Sequence, residues 1–241
     1  MTVYAGVRNP ADGVGLGHPI TLDITNADDV ASLRELSLDG LVNNAGIAVT
    51  SPLEYVPFDE LRRQLEVNTV AQLAVIQACL PALRRARGRI VNLTSISGLV
   101  VLPLYGPYAA SKYAFEALSD ALRRELRGAV HVSIVEPGAI ATPIWDRGSA
   151  TADALFAAMP PDAQERYGEL VTTMRAEAKK QPVEGLPPEV VANVIAKALT
   201  AKRPRSRYLI GRDAKVSARL ARVLPGRAMD AVLAAAIRSR R

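Results

Sequence analysis

A serine, a tyrosine and a lysine fall within one stretch of the chain, Gly88 to Tyr113, at spacings that let their polar ends meet. Tyr108 and Lys112 are four residues apart in a segment without Gly or Pro from Tyr108 to Leu126 that follows Pro107, the pattern of a helix start. A separation of four places phenol and ammonium on one helical face, one turn apart. Ser95 ends an apolar, β-branched run, Ile90 to Leu93, which predicts a short strand buried on both faces. A free phenol titrates near 10, and a cation held beside it favours the phenolate, so Tyr108 next to Lys112 is placed to exchange protons near neutral pH. Ser95 can donate a hydrogen bond to a carbonyl oxygen as negative charge grows on it. Together the three groups fit carbonyl reduction or alcohol oxidation.

These groups need a scaffold, and the rest of the chain alternates strands with helices. Thr2 to Val7 predicts a strand, Arg8 to Asp12 a turn, Ile20 to Ile24 a second strand and Ala27 to Leu36 a short helix. Leu41-Val42 leads into the turn Asn43-Asn44-Ala45-Gly46. From Phe58 to Ala86, Leu61, Leu65, Val67, Leu73, Val75, Ile76 and Leu80 suit a long buried helix, with Pro81 as its kink. Val130 to Val135 is a further strand, followed by Glu136-Pro137-Gly138-Ala139-Ile140-Ala141-Thr142. Helix Pro188 to Thr200 then leads to a last strand, Tyr208 to Ile210. Such alternation favours a doubly wound parallel sheet in a three-layer αβα, Rossmann-like arrangement, with ligands at the carboxyl ends of the strands. Between Pro143 and Pro188 no strand signal occurs. Trp145, Leu155, Phe156, Met159 and Tyr167 there read as an amphipathic lid over an apolar substrate.

With 241 residues, 49% of them apolar, the chain suits one domain with one sizeable core. Cys79 is the single cysteine, which excludes an intramolecular disulfide and points to a reducing cytoplasmic setting. No uninterrupted apolar run reaches the roughly 20 residues that span a bilayer. His18 and His131 lack partners at metal-ligand spacing, so no metal site is expected. The net charge of +6 is concentrated in residues 201–241, where Lys202, Arg203, Arg205, Arg207, Arg212, Lys215, Arg219, Arg222, Arg227, Arg238, Arg240 and Arg241 face only Asp213 and Asp230. This basic C-terminal extension reads first as solvated helix faces and second as a peripheral contact with an anionic membrane surface, with nucleic acid disfavoured.

A lone Tyr-x-x-x-Lys arises by chance in roughly one such chain in six, so the pair alone is not specific. The run Asn92-Leu93-Thr94-Ser95 followed by Tyr108-Ala109-Ala110-Ser111-Lys112 strongly resembles the short-chain dehydrogenase/reductases, and further motifs extend the resemblance from Val3 to about Gly211. The resemblance implies that Ser95 positions the carbonyl, that Tyr108 is the acid/base, and that Lys112 lowers the tyrosine pKa and bonds the nicotinamide ribose. It implies that Asn68, in Glu66-Val67-Asn68-Thr69, holds a water in a proton relay behind the lysine. Asn43, Ala45 and Gly46 match the adenosine-side turn, which also stabilises the central sheet; Asp23 and the backbone of Ile24 match the adenine contact. Pro137, Gly138, Ile140 and Thr142 match the segment that seats the carboxamide. The family position that is acidic in NAD users is Val7 here, followed by Arg8, and a guanidinium suits a 2′-phosphate, so NADP(H) is preferred over NAD(H). Val3-Tyr4-Ala5-Gly6-Val7-Arg8 and the apolar lid are similar to steroid and retinol dehydrogenases. The implied activity is interconversion of an apolar ketone and a secondary alcohol. A homodimer or homotetramer through the Phe58 and Tyr108 helices is implied too.

One family feature is absent. Family members open with a strand and a glycine-rich loop leading into a helix whose amides hold the cofactor pyrophosphate. Here the glycine cluster Gly13-Val14-Gly15-Leu16-Gly17 precedes His18-Pro19 and a strand, so it reads as a loop. The missing first strand would lie between the strands at Val3 and Leu41. Three repairs are open: a start assigned too late, with a segment upstream; direct pairing of the Val3 and Leu41 strands; or a strand from another subunit. The first is favoured. The rival function is a catalytically silent relative that binds an anionic partner through its basic tail.

Overall fold

The computed structural model describes residues 1–238; Arg240 and Arg241 of the basic run lie outside the described residues. Among the described residues, six parallel strands form two separate sheets. Strand β1 (Tyr4–Val7) pairs only with β2 (His18–Thr21), while β3 (Gly40–Asn43), β4 (Arg89–Leu93), β5 (His131–Pro137) and β6 (Arg207–Ile210) form a four-stranded sheet in that order. The register runs Val42 opposite Val91, Asn92 opposite Ile134 and Glu136 opposite Leu209. Direct pairing of the Val3 and Leu41 strands is therefore corrected: β1 pairs with β2 and β3 with β4, and no ladder joins β1 to β3 among the described residues.

Alternation along the inner strands sets up three layers. Ile90 and Val132 enter one core with Val75, Ile76, Cys79, Leu83 and Phe115 from helices α3 (Ala71–Ala86) and α4 (Gly106–Glu125). Val91 and Val135 face the opposite way, against Val191 and Ala198 of α7 (Pro188–Thr200). A period of two delivers successive side chains to opposite faces, and each fully buried aliphatic side chain contributes about 1.5–3 kcal/mol. That double burial makes β4 a continuous apolar run.

Several boundaries differ from the sequence expectation. Strand β2 starts earlier, at His18, whose N–H donates to Val3 O at 2.9 Å, and it ends at Thr21, which leaves Asp23 and Ile24 beyond it. Gly17 enters β2 at φ 85°, and a Cβ there would lie 2.7 Å from Val3 O, so glycine is required. The helix expected from Ala27 to Leu36 is α1 (Ala27–Ser32), capped by Asn26 Oδ1, and then a 3-10 turn, Leu33–Glu35. The long helix does not break at Pro81. Its irregularity is a π-helical turn, Glu66–Val70, between α2 (Phe58–Leu65) and α3. Phe58–Ala86 as a whole is long and apolar enough to cross a membrane by length and composition, though polar residues interrupt it and half of its most apolar window is buried inside the protein.

Between β5 and β6 the chain forms α5 (Ile144–Ala157) and α6 (Pro161–Glu184) before α7. Glu54 tethers α6 to the loop before α2 through Arg166 (2.6 Å) and the Tyr167 hydroxyl (2.7 Å). The C-terminal region adds α8 (Arg212–Val223) and α9 (Gly226–Arg238). Arg207, counted by sequence with the basic tail, lies in β6 and pairs with Glu116, Glu136 and Asp120.

Candidate active site

Ser95, Tyr108 and Lys112 converge. Ser95 stands where β4 ends; its Oγ accepts from Ser97 N–H at 3.1 Å and caps a 3-10 turn, Ile96–Gly98, which fixes the hydroxyl at the strand end. Tyr108 lies in the first turn of α4, and Lys112 follows one turn later on the same face. Lys112 is buried, its Nζ donates to Leu93 O at 3.1 Å, and it lies over the Tyr108 ring, 5.8 Å from the centroid. Ser95 stands near the Tyr108 hydroxyl and favours its ionised form. Burial brings the Lys112 ammonium down to about 8, although Glu116, one turn further on, works against that shift. Desolvation raises the Tyr108 phenol above its ordinary value, with Ser95 as the offsetting influence.

Asn68 occupies the π-helical turn and is fully buried. Its Oδ1 accepts from Ile47 N–H at 2.9 Å, and its Nδ2 donates to Ile47 O at 2.9 Å and to Ser111 Oγ at 3.1 Å. The amide thus holds the loop after β3 against α4. A Cβ added at Gly46 would lie 3.4 Å from Asn68 Oδ1 and 3.9 Å from Lys112 Nζ, so this loop passes between the two side chains. Ala45 O accepts from Gln72 Nε2 at 2.7 Å. Asn43 points into the core, where its Nδ2 donates to Asn92 Oδ1 (2.9 Å), and Asn92 Nδ2 donates to Ser119 Oγ (2.8 Å). This buried polar chain joins β3, β4 and α4.

The segment after β5 is pinned at both ends. Gly138 N–H donates to Ile210 O at 2.8 Å, and Ile140 O accepts from Trp145 Nε1 at 2.6 Å. Asp213, at the start of α8, accepts from Ala139 N–H at 3.0 Å; a Cβ at Gly138 would come within 2.1 Å of its carboxylate.

Gly46, Ser95, Tyr108, Lys112, Pro137, Gly138, Ile140 and Thr142 all line one cavity of about 790 Å³ at the carboxyl ends of β3, β4 and β5. Arg8, Asp23, Ile24, Asn43, Ala45 and Asn68 are not in its wall. Arg8 is exposed on the β1–β2 ribbon beside Asp23, whose Oδ1 is occupied by the N–H and hydroxyl of Thr25, and Ile24 packs against the core. Sequence reasoning missed Tyr105, edge-on to Tyr108 at 6.5 Å and pushed up to about 12 by burial, and it missed Asp213. It also missed that α9 walls the cavity with Met229, Leu233 and Ile237. Their spacing of four was the available signal.

A buried ammonium, a phenol and a hydroxyl beside an apolar cavity are a donor set suited to the ribose and nicotinamide half of a dinucleotide. Among the described residues, no glycine-rich turn joins a strand to a following helix of eight or more residues and offers its amides to a pyrophosphate.

The family described as short chain dehydrogenase matches residues 17–153. The chain is 40% identical over 232 residues to retinol dehydrogenase 5 of Mus musculus, covering 90% of this chain and 72% of that protein. Its fold is similar to a short chain dehydrogenase from Burkholderia cenocepacia J2315 in complex with NADP, with a TM-score of 0.73 and 26% identity over 96% of this chain and 86% of that one. It is also similar in fold to a short chain dehydrogenase/reductase from Burkholderia phymatum in complex with NAD, with a TM-score of 0.69 and 24% identity over 87% of this chain and 76% of that one.

Proposed function

The chain belongs to the short-chain dehydrogenase family and is an oxidoreductase of CH–OH groups; from that premise we propose that it interconverts an apolar ketone and a secondary alcohol with NADP(H), through Ser95, Tyr108 and Lys112. The observation that carries this reading is the convergence of those three groups on an apolar cavity. A bound nicotinamide supplies or accepts the hydride. Ser95 holds the substrate oxygen, Tyr108 passes the proton at that oxygen, and Lys112 holds positive charge beside the phenol. Asn68 keeps the Ile47 loop in register behind Lys112 and links the lysine to solvent through the relay. Pro137 to Thr142 and Gly46 seat the nicotinamide end, while Arg8, Asp23, Ile24, Asn43 and Ala45 serve the adenosine end. The preference for NADP(H) rests on exposed Arg8, next to Asp23 at the end of β1.

On the same reading the chain is a single domain, with residues 143–188 as the substrate lid. Trp145, Phe156, Met159 and Met174 present apolar surface to the cavity, in support of an apolar substrate. A homodimer or homotetramer through the Phe58 and Tyr108 helices is supported by exposed Phe58 (71%), Val70 and Tyr113 on those helices. A reducing cytoplasmic setting fits the lone buried Cys79.

The test begins with NADPH and NADH titrations of the 241-residue chain, followed by cofactor fluorescence, and proceeds to turnover of apolar secondary alcohols. Tyr108→Phe should retain cofactor binding and lose roughly 10²–10⁴-fold in turnover. Turnover that survives in Tyr108→Phe overturns the assignment.

A further inference from the structure

Helix α8 carries a stripe that the reaction does not use. Arg212, Lys215, Val216, Arg219, Arg222 and Val223 recur at spacings of three and four, which places them on one side of the helix, and all six are exposed. Val216 is 56% and Val223 78% exposed. The opposite side buries Ala214 and Ala218 and turns Leu220 into the cavity wall. No carboxylate lies in the stripe, and Arg212, Lys215 and Arg219 form no ion pair among the described residues, whereas Arg222, at the edge that borders a shallow groove with β6, acts on buried Glu136. Asp213, the acidic residue of α8, is engaged with Ala139 N–H instead. Arg207 is likewise spent inside the fold, on Glu116, Glu136 and Asp120.

Scattered exposed valines need no partner, and neither does a solvated run of charge. The combination is different. Two valines set among Arg212, Lys215 and Arg219 on one helical side match a helix that lies in a membrane interface, its aliphatic groups at the acyl boundary and its cations among headgroup phosphates. A nucleic-acid surface needs the cations but gives no use to isopropyl groups amid them.

We infer that the outer side of α8 docks this protein peripherally on an anionic lipid bilayer. Helix α9 follows directly and contributes Met229, Leu233 and Ile237 to the cavity wall, so docking brings that wall toward the phase in which an apolar substrate is dissolved. This last point rests on the proposed function; the docking does not.

The experiment is flotation of the full chain with phosphatidylcholine vesicles, with and without phosphatidylglycerol, at low and high salt. Partitioning is expected only onto the phosphatidylglycerol vesicles and is expected to fall as salt rises. Lys215→Gln/Arg219→Gln should weaken it roughly fivefold per cation removed. Val216→Ser/Val223→Ser should also weaken it, while circular dichroism and melting stay unchanged in both variants. Absence of partitioning at low salt overturns the inference, as does equal partitioning onto neutral vesicles. Indifference to the valine substitutions, together with displacement by duplex DNA, would reassign the stripe to a polyanion. These readouts do not involve turnover, so an inactive chain that still floats would refute the proposed reaction and leave the docking in place.

Discussion

The four-stranded sheet and the β1–β2 ribbon meet the same backbone requirement to different degrees. In β4 both edges are paired, and Ile90, Val91 and Asn92 are fully buried between two helical layers. In β1 one edge is paired, and its residues alternate between exposed and half-buried. Ser95, Tyr108 and Lys112 are all mounted on the sheet and on α4 packed against it, whereas Arg8, Asp23 and Ile24 belong to the ribbon and its exit. Groups that must hold a reacting centre in register sit where backbone and side chains are fixed from both sides.

Stability measurements can break this comparison. Ile90→Ala opens a cavity between the layers and should cost about 2–5 kcal/mol in denaturant unfolding. Val3→Ala, at the exposed head of the ribbon, should change stability by less than about 0.5 kcal/mol. Equal costs would mean that the ribbon shares the packing of the sheet. A narrower effect sharpens the comparison inside the sheet: Asn43→Ala leaves Asn92 Oδ1 without its donor and should cost about 1–3 kcal/mol, with little loss in Asn92→Leu/Asn43→Leu if repacking succeeds. An Asn43→Ala variant as stable as the parent would remove the buried amide chain from the account of how β3 is held.

A separate effect is a slope. Folded Lys112 gives up its proton near pH 8, whereas an unfolded lysine keeps it to about 10.5. Between those values the unfolded state binds more protons, so this residue makes stability rise with pH across that window. Lys112→Met should lack that contribution, and parallel melts from pH 7 to 10.5 would show the difference. Identical slopes would mean that the ammonium is better solvated than its burial implies.

Much of this was legible in residue order. The β-branched run at Ile90 marked β4, the Gly- and Pro-free segment after Pro107 marked α4, and the four-residue spacing of Tyr108 and Lys112 placed both on one face. Other features left only weak local signals. The turn in which Asp23 Oδ1 accepts from both the N–H and the hydroxyl of Thr25, two residues away, was one of these. Arg207 looked like part of a basic tail because no sequence rule links it to Glu116, 91 residues distant.

Residue order alone determined the presence of the main strands and of the Phe58, Tyr108 and Pro188 helices and the chemical types gathered near Ser95, because hydrophobic period, turn residues and i,i+4 spacing are local properties. Tertiary structure decided the rest: that the sheet divides between β1 and β3, that Asn43 turns inward to Asn92, that packing raises the Tyr108 phenol, and that α9 closes the cavity. Each of those depends on which distant surfaces exclude water from one another, and no short window of sequence contains both partners.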